Sequence, residues 1–321
     1  MTAGIALTAA RVAQVQAALL EWFAVHQRDM PWRRTRDAYL VLVSEVMLQQ
    51  TQVSRVLPKF EEFRERFPTV RDLAEAPVGE VIRAWAPLGY NLRAVRLHRA
   101  AQAIVERHGG EAPRDLVALR ALPGIGAYSA AAVACFAYDQ PVVVVDTNVR
   151  RVLGRVAVGD GAVAERAVHD AAERLLPRDW ARDWHLALMD LGATVCTARN
   201  PACRECPLRM LCAAAPAFLS PKSRVAESRG AYRAAAKPFV GSRRYFRGRV
   251  VQALRDADPD DALGLSALGR AVKPDFTKGD LPWLTGLVEE LAKDGLVEFH
   301  VGTRAGDSEA TGASTVRLPS S

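Results

Sequence analysis

The sequence predicts a mainly α-helical protein that ends in a small unit of mixed helices and strands. Up to about residue 215, apolar residues recur at three-and-four spacing in almost every segment, which is the period of amphipathic helices. Residues 216–241 are rich in Pro, Ser, Ala and Arg, a composition typical of a linker. Residues 242–321 contain three helical patterns and then two short strand patterns, the order of a winged-helix domain.

We predict helices in the segments DAYLVLVSEVMLQQTQVSRVLPKFEEFRERF, VRDLAEAPVGEVIRAWAPL and NLRAVRLHRAAQAIVERHG. The last of these ends at Gly109, a residue type that commonly terminates helices. The β-branched run PVVVV at 141–145 is the exception, and we predict a buried extended connection there.

Composition and charge limit the class of function. The chain has 321 residues, half of them hydrophobic and a quarter charged, which is ordinary for a globular protein. No apolar run reaches transmembrane length, and the N-terminus has the pattern of an amphipathic helix rather than of a signal peptide. We therefore expect a cytoplasmic protein that does not bind membranes. The net charge of +7 only weakly favours a nucleic-acid partner.

The stretch LPGIGAYSAAAV at 122–133 places two glycines directly before a strongly helical run. Such glycines let the backbone turn sharply and expose N–H groups at the start of the next helix, where a phosphate binds well. A helix–hairpin–helix of this kind grips the DNA backbone without reading sequence. The alternative is a glycine turn that only joins two core helices, and this stretch alone does not decide between them.

Four of the five cysteines lie close together in the sequence, whereas Cys135 has the surroundings of a buried helical residue. Clustered thiols in a cytoplasmic protein indicate a metal site rather than disulfides. One C-x-x-C pair is flanked by single cysteines, which fits a [4Fe–4S] cluster better than zinc, although zinc and unliganded thiols stay open. The four candidate ligands are Cys196, Cys203, Cys206 and Cys212.

Two carboxylates occur in apolar surroundings. Glu45 lies in VLVSEVMLQQT, with Leu42 and Leu48 about one turn away on either side, so its pKa is expected to be raised. Asp146 directly follows four valines and needs a cation or a hydrogen-bond donor. The alternatives are that Glu45 faces solvent or pairs with an arginine, and that Asp146 is a helix N-cap.

Taken together, the motifs resemble those of the helix–hairpin–helix base-excision glycosylases, and more narrowly the MutY-type adenine glycosylases. The resemblance covers about residues 18–215. It rests on SEVMLQQTQV, LGY, LPGIGAYSA, VVDTNVRRV, DLGATVC and the four-cysteine loop. It implies a glycosylase domain at 1–215, with lobes at about 30–140 and at 1–29 with 141–195, a [4Fe–4S] loop at 196–212 and an active site in the cleft between the lobes.

The resemblance also implies roles for individual residues. Glu45 would protonate the departing adenine, and Asp146 would stabilise the sugar cation, with Asn148 and Tyr128 orienting Asp146 and the water. Tyr128 occupies the position of the lysine that forms a Schiff base in relatives that cut the strand, so the reaction is expected to be hydrolysis alone. The implied DNA-contacting residues include the wedge residues Gln50 and Tyr90, and they are Gln49, Gln50, Tyr90, Leu122, Gly124, Gly126, Arg199 and Arg204.

The expected partner is double-stranded DNA with adenine opposite 8-oxoguanine or guanine. The protein is expected to be a monomer that is associated with the nucleoid when on DNA. Two alternatives stay open: a lyase-competent glycosylase of oxidised pyrimidines, and a non-catalytic iron–sulfur regulator that binds DNA.

The sequence departs from the family pattern at several points. Asn91 follows Tyr90 where the family usually has a second tyrosine, Leu186 stands where the family has Gln or Glu, and Thr147 replaces the usual glycine after Asp146. Residues 242–321 are too short and too helical for the family's usual Nudix-like domain.

The first helix of the C-terminal unit is arginine-rich, with Arg243, Arg244, Arg247 and Arg249. The first three share one side of the helix and are candidates for contact with phosphates. The third helix has an acidic face that is poorly suited to a phosphate groove. The alternative is that the whole unit docks on the glycosylase lobes and stabilises them.

Overall fold

The structure is a computed structural model that describes residues 6–220, 238–258, 261–302 and 314–320. Helices dominate the described chain, which confirms the predicted mainly α-helical fold. The α-helices are α1 Ala9–His26, α2 Ala38–Leu48, α3 Val53–Arg66, α4 Val70–Glu75, α5 Val78–Ala84, α6 Leu92–His108, α7 Leu116–Arg120, α8 Ala127–Tyr138, α9 Thr147–Ala157, α10 Glu165–Leu175, α11 Ala181–Thr194, α12 Ala215–Leu219, α13 Arg243–Asp256, α14 Leu265–Val272 and α15 Leu281–Lys293. The strands are β1 Leu263–Gly264, β2 Glu298–His300 and β3 Thr315–Arg317. In the part of the chain that is described, no helix is both long and apolar enough to cross a membrane.

The chain forms two compact units. Unit 1 comprises Met1–Glu45, Arg114–Ala121 and Ile125–Tyr232, and unit 2 comprises Val46–Pro113, Leu122–Gly124 and Arg233–Ser321. This division differs from the predicted lobes. Residues 30–45, α7 and α8 belong with the N- and C-terminal parts of the glycosylase region, and the C-terminal segment groups with unit 2.

Unit 1 packs α11 against α1 and α9, around buried residues such as Leu19 and Trp184. Within it, the fully buried carboxylate of Asp190 accepts hydrogen bonds from the guanidinium groups of Arg28 and Arg33 at 2.6–2.8 Å. Since a buried charge is costly unless it is paired, this cluster firmly ties the segment before α2 to α11.

The C-terminal segment has the helix and strand order predicted for a winged helix, with one addition. Its strands form an antiparallel sheet of order β1-β3-β2, in which Val316 pairs with both Leu263 and Phe299. Strand β1 was not predicted, because a two-residue strand has too few positions to show alternation. Between the two strand patterns of the sequence lies a stretch rich in Gly, Ser and Ala, of which residues 303–313 are outside the described residues.

The winged-helix segment shares one hydrophobic core with helices of the preceding part of unit 2. Ile82 of α5 and Val95 of α6 are buried together with residues of α13, α14 and α15, including Val250 and Leu287. The backbone N–H of Gly79 also donates to the carbonyl of Pro319 at 2.8 Å. The segment therefore packs on the helices of unit 2, as the docking alternative predicts, while its contact with DNA stays a prediction.

The arginines of α13 form ion pairs and hydrogen bonds within the protein. Arg243 pairs with Glu290 of α15 at 2.6 Å, and Arg247 pairs with Glu290 and Asp294. Arg249 donates to the carbonyl of Ala271 at 2.6 Å. Two of the three candidates for phosphate contact, Arg243 and Arg247, are therefore paired with the acidic face of α15, and contact of this helix with phosphates stays a prediction.

The predicted linker at 216–241 begins later than expected. Pro216 stands in the first turn of α12, a position that proline tolerates well, and the helix continues to Leu219. Residues 221–237 lie outside the described part of the chain.

Candidate active site

Glu45 is the buried acid of the site. It lies near the end of α2 with only 7% of its surface exposed. Burial among apolar side chains raises its pKa to about 7, which outweighs the opposing effects of a hydrogen bond from Tyr128 and the charge of Arg33. The negative charge of Asp146 adds to the increase. A carboxyl group with this pKa is protonated in a substantial fraction of molecules at neutral pH.

Tyr128 lies in the first turn of α8, half-buried, and its hydroxyl donates a hydrogen bond to Glu45. Burial and the nearby carboxylates raise the pKa of the phenol well above its ordinary value, so it remains a proton donor. We expected Tyr128 to orient Asp146, but the structure places its hydrogen bond on Glu45.

Asp146 is fixed at the N-cap of α9. Its Oδ1 accepts the backbone N–H of Val149 at 2.7 Å, and its Oδ2 accepts Nδ2 of Asn148 at 3.0 Å. The charge of Asp146 acts on both Glu45 and Tyr128. The N-cap alternative and the functional one are therefore compatible, because the same carboxylate that caps the helix faces the buried acid.

The valine run before Asp146 contains neither helix nor strand, but only Val144 in it is buried, whereas we predicted that the whole connection is buried. Its position depends on a buried histidine that the sequence analysis did not single out. Nε2 of His185 accepts the N–H of Val144 at 3.0 Å, while Nδ1 bonds the carbonyl of Ala181 at 2.7 Å. Burial lowers the pKa of His185 to about 4, so the ring is neutral and can accept this bond.

A chain of hydrogen bonds runs from Asp146 to the first cysteine of the loop. Asn148 donates to Asp146, and the guanidinium of Arg151 donates to Oδ1 of Asn148 at 2.8 Å. Nε of Arg151 then donates to the carbonyl of Cys196 at 2.8 Å, and Nη2, which also donates to Asn148, donates to the carbonyl of Gly192 at 2.6 Å. Arg151 was also missed from sequence, since an arginine in an amphipathic helix usually faces solvent.

The four clustered cysteines line a single cavity, together with Val152, Leu191 and Phe218. Arg155 also lines this cavity. Its guanidinium donates to the carbonyls of Thr197 and Ala198 at 2.8 and 2.9 Å, and its Nη1 lies 3.4 Å from Sγ of Cys196. Backbone N–H groups also point at the sulfurs of Cys206 and Cys212. In the described residues, no three His, Cys, Asp or Glu side chains are grouped closely enough to hold a single ion. Cys135 is buried in α8, as expected.

The arginines of the cysteine loop are at the surface. Arg199, Arg204 and Arg209 are all exposed. Within the described part of the chain, none of the three forms a salt bridge; Arg209 donates only to the carbonyl of Arg204, at 3.4 Å. Their charges are therefore available to a polyanion.

The helix–hairpin–helix stretch uses its two glycines differently. Gly124 has a φ of +76° and lies against Arg96, where a Cβ would come within 2.7 Å of the arginine side chain. Gly126 has an ordinary extended φ of −88° and open space around it, and no side chain caps α8. Leu122 is buried, so only its backbone can contact a ligand.

The predicted wedge residues sit on two unusual turns of unit 2. Gln50 and Tyr90 have φ values of +54° and +48°, the left-handed region that residues with side chains rarely adopt. The buried guanidinium of Arg93 donates to the carbonyl of Gln49 in the first turn and, at 3.2 Å, to the carbonyl of Gly89 in the second. One side chain thus holds both turns.

Comparison with known proteins gives a consistent family. Residues 43–178 match the HhH-GPD superfamily of base excision DNA repair proteins. The adenine DNA glycosylase of Mycolicibacterium smegmatis is 45% identical over 245 residues, 74% of this chain and 80% of that protein. Human adenine DNA glycosylase is 42% identical over 218 residues, 64% of this chain and 40% of that protein. A solved thermostable thymine-DNA glycosylase superposes with a TM-score of 0.60 at 31% identity, over 64% of this chain and 97% of that one.

The contact between Gly192 and Asn148 generates a prediction. A Cβ at Gly192 would lie 2.6 Å from Cβ of Asn148, so Gly192→Ala must displace Asn148 and its hydrogen bond to Asp146. We expect a loss of about 1–3 kcal/mol in the free energy of unfolding, measured by denaturant titration, and a shifted Asn148 side-chain amide signal in NMR spectra. Gly248→Ala is the control, because the exposed Gly248 in α13 has open space around it. Equal stability of Gly192→Ala and wild type would contradict the close contact.

Proposed function

The chain belongs to the HhH-GPD superfamily and, within it, to the adenine DNA glycosylases, and we propose that it hydrolyses the N-glycosidic bond of adenine opposite 8-oxoguanine or guanine without cutting the strand. Base excision of adenine follows from the family. The mismatch partner and the absence of strand cleavage are the proposed parts.

One observation supports the chemistry most directly. A buried carboxyl group with a pKa of about 7 lies beside a carboxylate that is held by two N–H donors. Two acidic groups in contrasting environments are what hydrolysis of a glycosidic bond requires, one to give a proton and one to stabilise positive charge.

Glu45 acts as the proton donor. Adenine departs poorly as an anion, and protonation of a ring nitrogen removes that difficulty. The hydrogen bond from the Tyr128 hydroxyl fixes the orientation of the Glu45 carboxyl group. Because Glu45 is buried, water does not compete for its proton before the transfer.

Asp146 stabilises the sugar as it becomes cationic. Its charge is fixed by the N–H of Val149 and by Asn148, which are both in place before the substrate arrives. A preorganised carboxylate lowers the energy of the oxocarbenium-like state without the cost of reorientation. The absence of an amine at Tyr128 excludes a Schiff base from this residue, so water completes the reaction.

DNA binding is proposed to involve several groups described above. The uncapped N-terminus of α8 at Gly126 suits a phosphate, and the exposed Arg199 and Arg204 add positive charge. Gln50 and Tyr90, on their strained turns, are proposed to enter the base stack while adenine is extruded. We further propose that the protein acts as a monomer in the cytoplasm, on the nucleoid.

The cysteine-lined cavity is proposed to hold a [4Fe–4S] cluster. Four thiol ligands, backbone N–H donors aimed at two sulfurs and a guanidinium beside Cys196 fit such a group. When bound, the cluster would cross-link the loop from Cys196 to Cys212. The hydrogen bonds of Arg151 would then connect the fixed loop to Asn148.

The proposed function is tested with purified protein and duplexes that carry A·8-oxoG, A·G, G·T or thymine glycol. We expect excision of adenine from the first two, with strands that break only after treatment with alkali. Breakage without alkali would refute the absence of strand cleavage. Excision of thymine from G·T instead of adenine would refute the substrate assignment.

The role of Glu45 is tested by Glu45→Gln and by pH. An amide cannot deliver the proton, so we expect the single-turnover rate to fall by at least about 100-fold while duplex affinity is retained. Because only protonated Glu45 donates, the wild-type rate should decline as pH rises through about 7. The control is Glu21→Gln, because Glu21 is an exposed residue of α1. A Glu45→Gln rate within about tenfold of wild type would remove Glu45 from the acid role.

The cluster is tested by colour and metal content. The purified protein should be brown, absorb broadly in the visible range and contain iron and sulfide in equal amounts. Cys206→Ala should lose this absorption, whereas Cys135→Ala should keep it, because Cys135 lies outside the loop. A colourless protein with stoichiometric zinc would overturn the assignment.

A further inference from the structure

The turn at Gly89–Asn91 presents a strained aromatic side chain to solvent. Tyr90 is 44% exposed and has a φ of +48°, which is a genuine outlier for a bulky residue. Strain of this kind persists only where the surroundings enforce it, and it tends to occur at functional sites. The contacts that hold Tyr90 in this conformation therefore bear on its function.

Some of the contacts that hold this turn come from residues close to it in the sequence. Arg93 donates to the carbonyl of Gly89, and Nε1 of Trp85 donates to the same carbonyl at 3.0 Å. These bonds hold the backbone of the turn. Cζ of Arg93 also lies 5.4 Å from the centroid of the Tyr90 ring.

The remaining contacts come from α13 of the winged-helix segment, far along the chain. The guanidinium of Arg244 lies over the Tyr90 ring, with Cζ 4.2 Å from the ring centroid. Arg255 donates to Oδ1 of Asn91 at 2.8 Å and to the carbonyl of Ile82 at 3.0 Å. Two arginines, about three turns apart on one helix, thus hold two consecutive residues of the turn.

Helix α13 is itself rigidly placed. Val250 and Leu254 lie in the core that includes Ile82 and Val95, and Arg83 of α5 donates to the carbonyl of Leu254 at 3.4 Å. The ion pairs of Arg243 and Arg247 fix α13 on α15. A helix anchored on both sides can impose a direction on the side chain that it contacts.

From these contacts we propose that Arg244 and Arg255 are positioning residues, which hold the Tyr90 ring in the orientation that opens the DNA stack. The winged-helix segment then acts as a brace on the turn rather than as a groove-reading domain. The proposal rests on the proposed function, because it concerns the step in which adenine leaves the duplex. It also gives a role to the acidic face of α15, because the ion pairs of that face with Arg243 and Arg247 hold α13 in place.

The main test uses Arg244→Ala, because Arg244 is exposed and its loss leaves no buried polar group unpaired. A cation–π contact is worth about 0.5–1 kcal/mol at such a site, so we expect the single-turnover excision of adenine to slow about two- to fivefold. Arg244→Lys keeps the cation and should restore most of the rate. The charge-matched control is Arg270→Ala, since Arg270 is an exposed arginine on α14 of the same segment.

A double-mutant cycle separates positioning from a general effect on charge or stability. If Arg244 acts through the ring, Arg244→Ala should cause no further slowing in a Tyr90→Ala background. An equal loss in both backgrounds, or a loss that Arg270→Ala reproduces, would overturn the proposal. The midpoint of thermal unfolding of Arg244→Ala should fall by no more than a few degrees, as expected for the loss of one such contact.

A second readout does not depend on excision. A duplex with 2-aminopurine in place of the target adenine fluoresces when that base leaves the stack, and Arg244→Ala should reduce the rise that the wild-type protein causes. If wild type raises the fluorescence and excises no adenine, while Arg244→Ala reduces that rise, the proposed function fails and the brace stands. If wild type excises adenine and Arg244→Ala equals it in both assays, the brace alone is refuted.

Discussion

The hydrogen bonds of the Asp146 carboxylate determine the geometry of the site. One oxygen caps α9 through the N–H of Val149, and the other holds Asn148. An N-cap of this type stabilises a helix by about 1 kcal/mol, so rotation of the carboxylate would also weaken the helix. The cap requires extended backbone at Asp146, which the valine run supplies because His185 fixes Val144. Helix stability and the placement of the functional carboxylate therefore depend on the same interaction.

The site separates two carboxyl groups by their surroundings rather than by their chemical type. Glu45 lies in an apolar helix, where burial favours the neutral form and the hydroxyl of Tyr128 supplies the directional contact. Asp146 stands at the N-cap of α9, where it accepts hydrogen bonds from the backbone N–H of Val149 and from the Asn148 amide. Hydrolysis of a glycosidic bond requires this asymmetry, since two equally solvated carboxylates would both be ionised at neutral pH.

The sequence was sufficient to predict the helical fold, the winged-helix order and the paired carboxylates, because each depends on local period or on a rare residue type in apolar surroundings. Glu45 is an example, since its helix is apolar on all sides. Buried Arg93 and His185 were not predicted, because a basic residue in an amphipathic helix ordinarily faces solvent and only long-range packing reverses this. The same limit hid the strand Leu263–Gly264 and the core around Ile82, which both depend on partners far along the chain.

The basic composition of the chain has a structural cause as well as a functional one. A guanidinium carries five N–H donors in a fixed plane, so one arginine can satisfy several carbonyls at a turn where no helix or sheet does so. Arg93, Arg151, Arg155 and Arg255 are all used in this way, each donating to at least one backbone carbonyl of a loop or helix end. A lysine carries its three N–H donors on a single nitrogen and has no such planar fork. The net positive charge is thus a poor measure of DNA affinity here; the relevant charges are the exposed arginines of the cysteine loop, which hold no internal carboxylate in the part of the chain that the structure describes.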